Sequence, residues 1–179
     1  RSSSGATTID VAANTFTDGS SNNNTAATQF NWTYDGTVPT ITGNSLASDN
    51  STIAVTFSEA VYNTSGGSGS LEVGDFTLAI SGSGSMASLV SSTPNSISVS
   101  SNTYTLGINL SGIANGLETI TISPYSSSIY DVVGNVASTS QSNNTASLNN
   151  LNYVLDLDVS SEYATIANNS AYQPSAFTV

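Results

Sequence analysis

The sequence predicts an all-β chain built around an antiparallel β-sandwich, on three observations. Apolar and polar residues alternate in short runs, turns rich in Ser, Thr, Asn and Gly separate the runs, and no stretch keeps a helical 3.6-residue period beyond a turn or two. Short strands with frequent turns are the pattern of two stacked sheets.

Taken in order, the runs each place apolar side chains on one face of a strand. Phe30, Trp32 and Tyr34 alternate first, followed by Ile53, Val55 and Phe57, then Phe76, Leu78 and Ile80. Ile97 with Val99, the longer set Tyr104, Leu106, Ile108 and Leu110, and Ile120 with Ile122 continue the series. The Gly- and Ser-rich stretches 63–69 and 81–85 read as loops between them.

Composition narrows the function classes. The 179 residues contain one Lys or Arg against 12 Asp and Glu, for a formal charge of -11. A surface this poor in cations cannot neutralise phosphates, so nucleic acid and anionic membrane are not expected partners. No apolar run approaches the roughly 20 residues of a membrane span. Charged residues make up only 7%, so solubility has to come from neutral polar groups, attached glycan or assembly. With no Cys there is neither a disulfide framework nor a thiolate metal site.

An internal echo sets the organisation. Phe16-Thr-Asp18-Gly-Ser-Ser-Asn22 is matched by Ile129-Tyr-Asp131-Val-Val-Gly-Asn135, and the two Asp stand 113 residues apart. That period is close to the ~100 residues of an immunoglobulin-type sandwich. Residues 1–37 therefore read as the closing strands of one domain, 38–149 as a complete second domain, and 150–179 as a further strand segment. Pro39 falls at the first boundary.

Three stretches carry a family resemblance: Pro39-Thr-Ile-Thr, the run 46–62 with Val55-Thr-Phe-Ser-Glu-Ala-Val61, and Ser128-Ile-Tyr-Asp-Val-Val-Gly-Asn135. Over roughly 38–149 the chain resembles the bacterial Ig-like repeats of large surface proteins. Residues 14–37 look like the end of a related repeat, and Tyr163 to Val179 look like the opening of a laminin-G or concanavalin-like jelly roll. The resemblance implies an extracellular or cell-surface location, an Ig-like sandwich with incomplete strand segments at both ends, and a structural or adhesive role.

A strand pair without the rest of its sheet leaves an apolar face bare. Phe30, Trp32 and Tyr34 are thus the expected assembly residues, completed by another copy of the chain in a head-to-tail fibre or by flanking repeats. Carbohydrate binding through the C-terminal segment is the alternative.

Catalysis has little to work with. His and Cys are both absent, and Glu59, Glu72, Asp75, Glu118 and Asp131 show no active-site pattern, so no enzymatic activity is expected.

Calcium is the better use of these oxygens, because hard cations collect carboxylates, Asn amides and turn carbonyls around a Gly. Asp131 and Asn135 flank such a turn, and Glu59 is implied as a partner by resemblance to calcium-binding Ig-like repeats. Asp18 and Asn22 form a weaker copy in which Ser21 replaces the Gly. The other reading is that these residues build turns by capping their own backbone. Asp156 and Asp158 alternate onto one strand face, which reads as solvated.

Seven Asn-x-Ser/Thr sequons, at Asn23, Asn31, Asn50, Asn63, Asn109, Asn143 and Asn168, offer sites for covalent glycan. With 20 Asn and about a third of residues Ser or Thr, that number is close to the chance value. Asn31 and Asn109 alternate with apolar neighbours and should face solvent.

Overall fold

The computed structural model describes residues 3–152. In chain order its strands are β1 (Gly5–Ile9), β2 (Phe30–Tyr34), β3 (Ile41–Leu46), β4 (Thr52–Phe57), β5 (Phe76–Ser81) and β6 (Ser88–Leu89). They continue with β7 (Ile97–Ser100), β8 (Thr103–Gly107), β9 (Leu110–Ser111), β10 (Thr119–Pro124) and β11 (Thr145–Ser147). One 3-10 turn, Val73–Asp75, is the single helical element among the described residues. Every strand pairing is antiparallel. The expected all-β class holds.

Residues 41–148 form a sandwich. One sheet has the order β3-β4-β8-β7 and the other β11-β10-β5, with a short β6-β9 ribbon beside them. The alternation read from the sequence decides the faces: Ile53, Val55 and Phe57 of β4 and Leu106 of β8 point inward onto Phe76 and Leu78 of β5 and Ile120 and Ile122 of β10. Each such burial stabilises the fold by about 1.5–3 kcal/mol. Phe57, Phe76 and Tyr104 meet at one end of the core with ring centroids 5.9–6.4 Å apart.

The outward positions are unusual for their uniformity. On one sheet they are Gly43, Ser45, Thr52, Ala54, Thr56, Ser98, Ser100, Thr103 and Thr105, and on the other Thr77, Ala79, Ser81, Thr119, Thr121, Ser123, Thr145 and Ser147. Hydroxyls therefore supply the solvation that charge supplies elsewhere, and Thr56 and Thr103 share a 2.8 Å hydrogen bond across strands.

The run from Tyr104 to Leu110 departs from expectation. It is two strands, because at Gly107 the chain turns away from the four-stranded sheet; a Cβ there would lie 1.9 Å from Asn95 Oδ1. Ile108 N then bonds Ser51 O, and Leu110 enters the ribbon with Leu89.

Strand β2 is not solitary. It pairs with β1 in register from Gly5 opposite Tyr34 to Ile9 opposite Phe30. The turn region of this hairpin repeats that of the β10–β11 hairpin in detail. Asn24 N bonds Phe16 O just as Ala137 N bonds Ile129 O, and Asp18 N bonds Asn22 O as Asp131 N bonds Asn135 O. The bridges Thr17 to Asn23 and Tyr130 to Val136 also correspond. Non-glycine residues of positive φ recur at Asn14 and Ser127, while Ser21 at 66° takes the place of Gly134 at 101°. All these equivalents are offset by 113 positions, so the sequence echo is a structural one.

Candidate functional site

The Asp131 turn is built from its own backbone inward. Asp131 Oδ1 accepts the N–H groups of Val133, Gly134 and Asn135 at 2.7–2.9 Å, and Oδ2 accepts the Asn135 amide at 2.7 Å. Gly134 is required by its φ of 101°, and a Cβ there would stand 2.4 Å from Ser65 Oγ. The carboxylate is fully buried. Turn chemistry is thus a sufficient reason for Asp131 and Asn135, independent of any ion.

The same turn also gathers charge. One carboxylate oxygen from each of Asp35, Glu59 and Asp131 lies within 4.8 Å of the others. Glu59 arrives two residues after β4, and Asp35 from the connection between β2 and β3. The Asn135 amide donates to the carbonyls of Asp35 and Thr37, both at 3.2 Å, which pins that connection to the sandwich. Asp35 is fixed further by the Thr37 N–H at 3.0 Å and the Ser4 hydroxyl at 2.9 Å; these bonds hold its carboxyl below the ordinary range. Burial, then repulsion from Asp131 and Asp35, pushes the Glu59 carboxyl up. Three carboxylates so close suit a hard divalent cation, which would relieve that repulsion.

Of the expected metal ligands, Glu59 and Asp131 come together and Asn135 acts as a strut through its N–H groups. Asp18 and Asn22 do not join them. Asp18 accepts Ser20 N, Asn22 N and the Asn22 amide at 2.8–3.0 Å, in an exposed turn with no second acidic group placed among the described residues to complete a cluster. The sequence does not single out Asp35; its partners lie 24 and 96 positions away, and no local pattern announces such a meeting.

The other carboxylates have structural duties. Glu118 is fully buried, and accepts N–H groups from Met86, Ala87, Asn115 and Gly116 at 2.8–3.1 Å. Burial alone would raise its pKa, but these bonds bring it below the ordinary value. Asp75 closes a capping box with Glu72 around the 3-10 turn. Asp156, Asp158 and the jelly-roll-like segment lie outside the described residues.

Of the sequons, Asn23, Asn31, Asn109 and Asn143 are exposed and Asn63 is half-buried. Asn50 must be corrected. It is 1% exposed, with φ 59°, and its amide bonds Asn149 O while its Oδ1 accepts Asn149 N. A glycan there would have to break the fold. Asn168 lies outside the described residues.

The apolar side of the β1–β2 hairpin is the second candidate surface. Ile9 is 58% exposed, Phe16 62%, Phe30 62% and Trp32 46%. Trp32 and Tyr34 pack edge to face at 6.4 Å, and Tyr34 is half-buried. Phe30 and Trp32 therefore have no core around them among the described residues. Isolated exposed apolar groups mean little, but Ile9 and Phe30 stand directly opposite each other, with Trp32 two residues along the same face of the hairpin.

No family model matches the chain, and neither curated proteins nor solved structures yield a match.

Proposed function

We propose that this chain is a structural module of an extracellular fibre or adhesin stalk, in which Ig-like sandwiches are completed by strands from neighbouring copies of the repeat. The carrying observation is the β1–β2 hairpin, which reproduces β10–β11 but exposes Ile9, Phe16, Phe30 and Trp32. The uncharged hydroxyl faces support an inert, non-catalytic surface, and the carboxylates follow suit, since Glu118, Glu72 and Asp75 serve turns.

Calcium at Asp35, Glu59 and Asp131 fits the same role. Asp35 belongs to the connection after the hairpin and the other two to the sandwich, so a cation shared among them would stiffen the joint between repeats.

Sedimentation velocity of the intact chain against a version lacking residues 1–37 tests the reading. The intact chain is expected to associate with rising concentration, and the shortened one to remain a folded monomer. Association that persists without residues 1–37 would refute it.

A further inference from the structure

The two ends of the sandwich are apolar where its sheet faces are not. Outward strand positions carry Ser, Thr, Gly and Ala, whereas Met86, Ile113 and Leu117 are 57–58% exposed and Val132 and Val133 55–56%. The first three belong to the end where Ser81 pairs with Thr119. The two valines belong to the other end, where Phe76 pairs with Pro124 and the Ser128 hydroxyl donates to the Asp75 carbonyl.

Each set stands on a loop fixed by a buried carboxylate. Glu118 gathers the N–H groups of Met86, Ala87, Asn115 and Gly116, and a Cβ on neighbouring Gly84 would lie 3.3 Å from Leu117 Cδ1. Asp131 holds the Val133 N–H at 2.9 Å. Turn geometry does not call for the valines, because Gly19 and Ser20 fill their places in the earlier copy, where Asp18 accepts Ser20 N in the same way. Apolar clusters mounted on fixed loops have the character of contact surfaces.

The path of the chain says which surfaces meet. It enters the sandwich beside the valines, where the Asn135 amide donates to the Asp35 and Thr37 carbonyls. It leaves beside Met86, where Leu151 N bonds Ala114 O at 2.8 Å and the Asn152 amide donates to Met86 Sδ at 3.6 Å. Units therefore follow one another end to end, through a connection as short as residues 35–40, which spans about 20 Å at most. Position 117 already faces such a joint in the earlier copy. Its equivalent there at the 113-residue offset, Ser4, donates to Asp35 Oδ1 at 2.9 Å and accepts Gly36 N at 3.0 Å.

We propose that successive copies of the sandwich pack end against end, with Met86, Ile113 and Leu117 of one copy seated on Val132 and Val133 of the next. The proposal rests on the structural role above only in that copies follow one another, and it adds the contact that sets their angle. Five side chains fall short of the roughly 1,000 Å² that a stable interface buries. The seam therefore forms where a short connection holds the two ends at high effective concentration, and does not by itself associate free molecules.

The chain has no Cys, so a pair of introduced cysteines reports the contact. Residues 35–148 are repeated once within the intact chain, so that Asp35 of the second copy follows Leu148 of the first as it now follows Tyr34. Leu117→Cys in the first copy with Val133→Cys in the second is expected to close an intramolecular disulfide several-fold faster than Leu117→Cys with Ser98→Cys on the outward sheet face, and urea should erase the difference. A rate no faster than that of the Ser98 pair would overturn the seam. In the doubled chain without cysteines, Leu117→Asp in the first copy and Val133→Asp in the second should broaden the spread of angles between copies in small-angle X-ray scattering while both sandwiches keep their melting transition. An unaltered scattering profile would equally overturn it. If the ends fail to pair while the original chain still associates through residues 1–37, the structural role stands and the seam alone falls; pairing of the ends in a chain that does not associate keeps the seam and removes strand completion.

Discussion

Asn135 and Asp35 are joined across a boundary: the amide of the first donates to the carbonyl of the second at 3.2 Å while also holding the Asp131 carboxylate at 2.7 Å. The turn that closes one sandwich thereby also holds the incoming connection.

Glu59 supplies the pH and metal test. Its carboxyl is pushed up from 4.5 by burial and by Asp131 and Asp35, so over the interval just above 4.5 the folded state binds protons more tightly than the unfolded one. Stability therefore falls as pH rises through that interval, and the cost is fully present above the folded pKa. At neutral pH, Glu59→Gln should raise the melting temperature in chelator and reduce the gain on adding calcium. An equal calcium gain in both proteins would exclude a cation from the joint.

The two copies of the Asp turn separate burial from hydrogen bonding. Asp131→Ala strands the N–H groups of Val133, Gly134 and Asn135 and removes one of the three acceptors of the Asn135 amide, and should cost on the order of 3 kcal/mol in urea unfolding. Asp18→Ala, at an exposed turn of the same geometry, should cost far less. Similar losses at both sites would show that the Asp131 turn gains nothing from its surroundings.

Glu118 should dominate acid sensitivity. Its folded pKa lies below the ordinary value, so its contribution is present above about 4.5 and is lost as pH falls through the folded pKa. Glu118→Gln should cost about 2 kcal/mol at neutral pH and flatten the acid unfolding curve. An unchanged acid midpoint would contradict the arrangement around Met86, Ala87, Asn115 and Gly116.

In a secretory host that attaches N-linked sugar, glycopeptide mass spectrometry should find Asn50 unmodified in folded protein, with any occupancy confined to exposed sequons such as Asn31 and Asn109. Substantial glycan on Asn50 of a natively melting protein would overturn the buried Asn50 to Asn149 contact.

Alternation makes the strands legible, because Ile53, Val55 and Phe57 face a core that only a period of two can fill. The turn echo is legible for a related reason: the Asp18 and Asp131 turns are local, and local hydrogen bonding leaves its pattern in consecutive residues. Long-range meetings leave none. Asp35 reaches Asp131 only after β2 and β3 have been set in place, and Glu118 reads as an ordinary loop acid until Met86 and Ala87 bring their N–H groups to it. Asn50 misleads in the opposite sense, since its sequon is a pattern of three residues while its burial depends on Asn149. Likewise Gly107 gives no warning that a run of alternating residues changes sheets there.

The clamp on residues 35–37 has a mechanical side. A pull on the hairpin does not reach Ile41 first and unzip β3 from β4 one bond at a time. The load meets the Asn135 amide, divides between the 131–135 turn and the β3 ladder, and enters the sandwich at two points well separated along the chain, so the joint resists peeling where a bare tether would invite it.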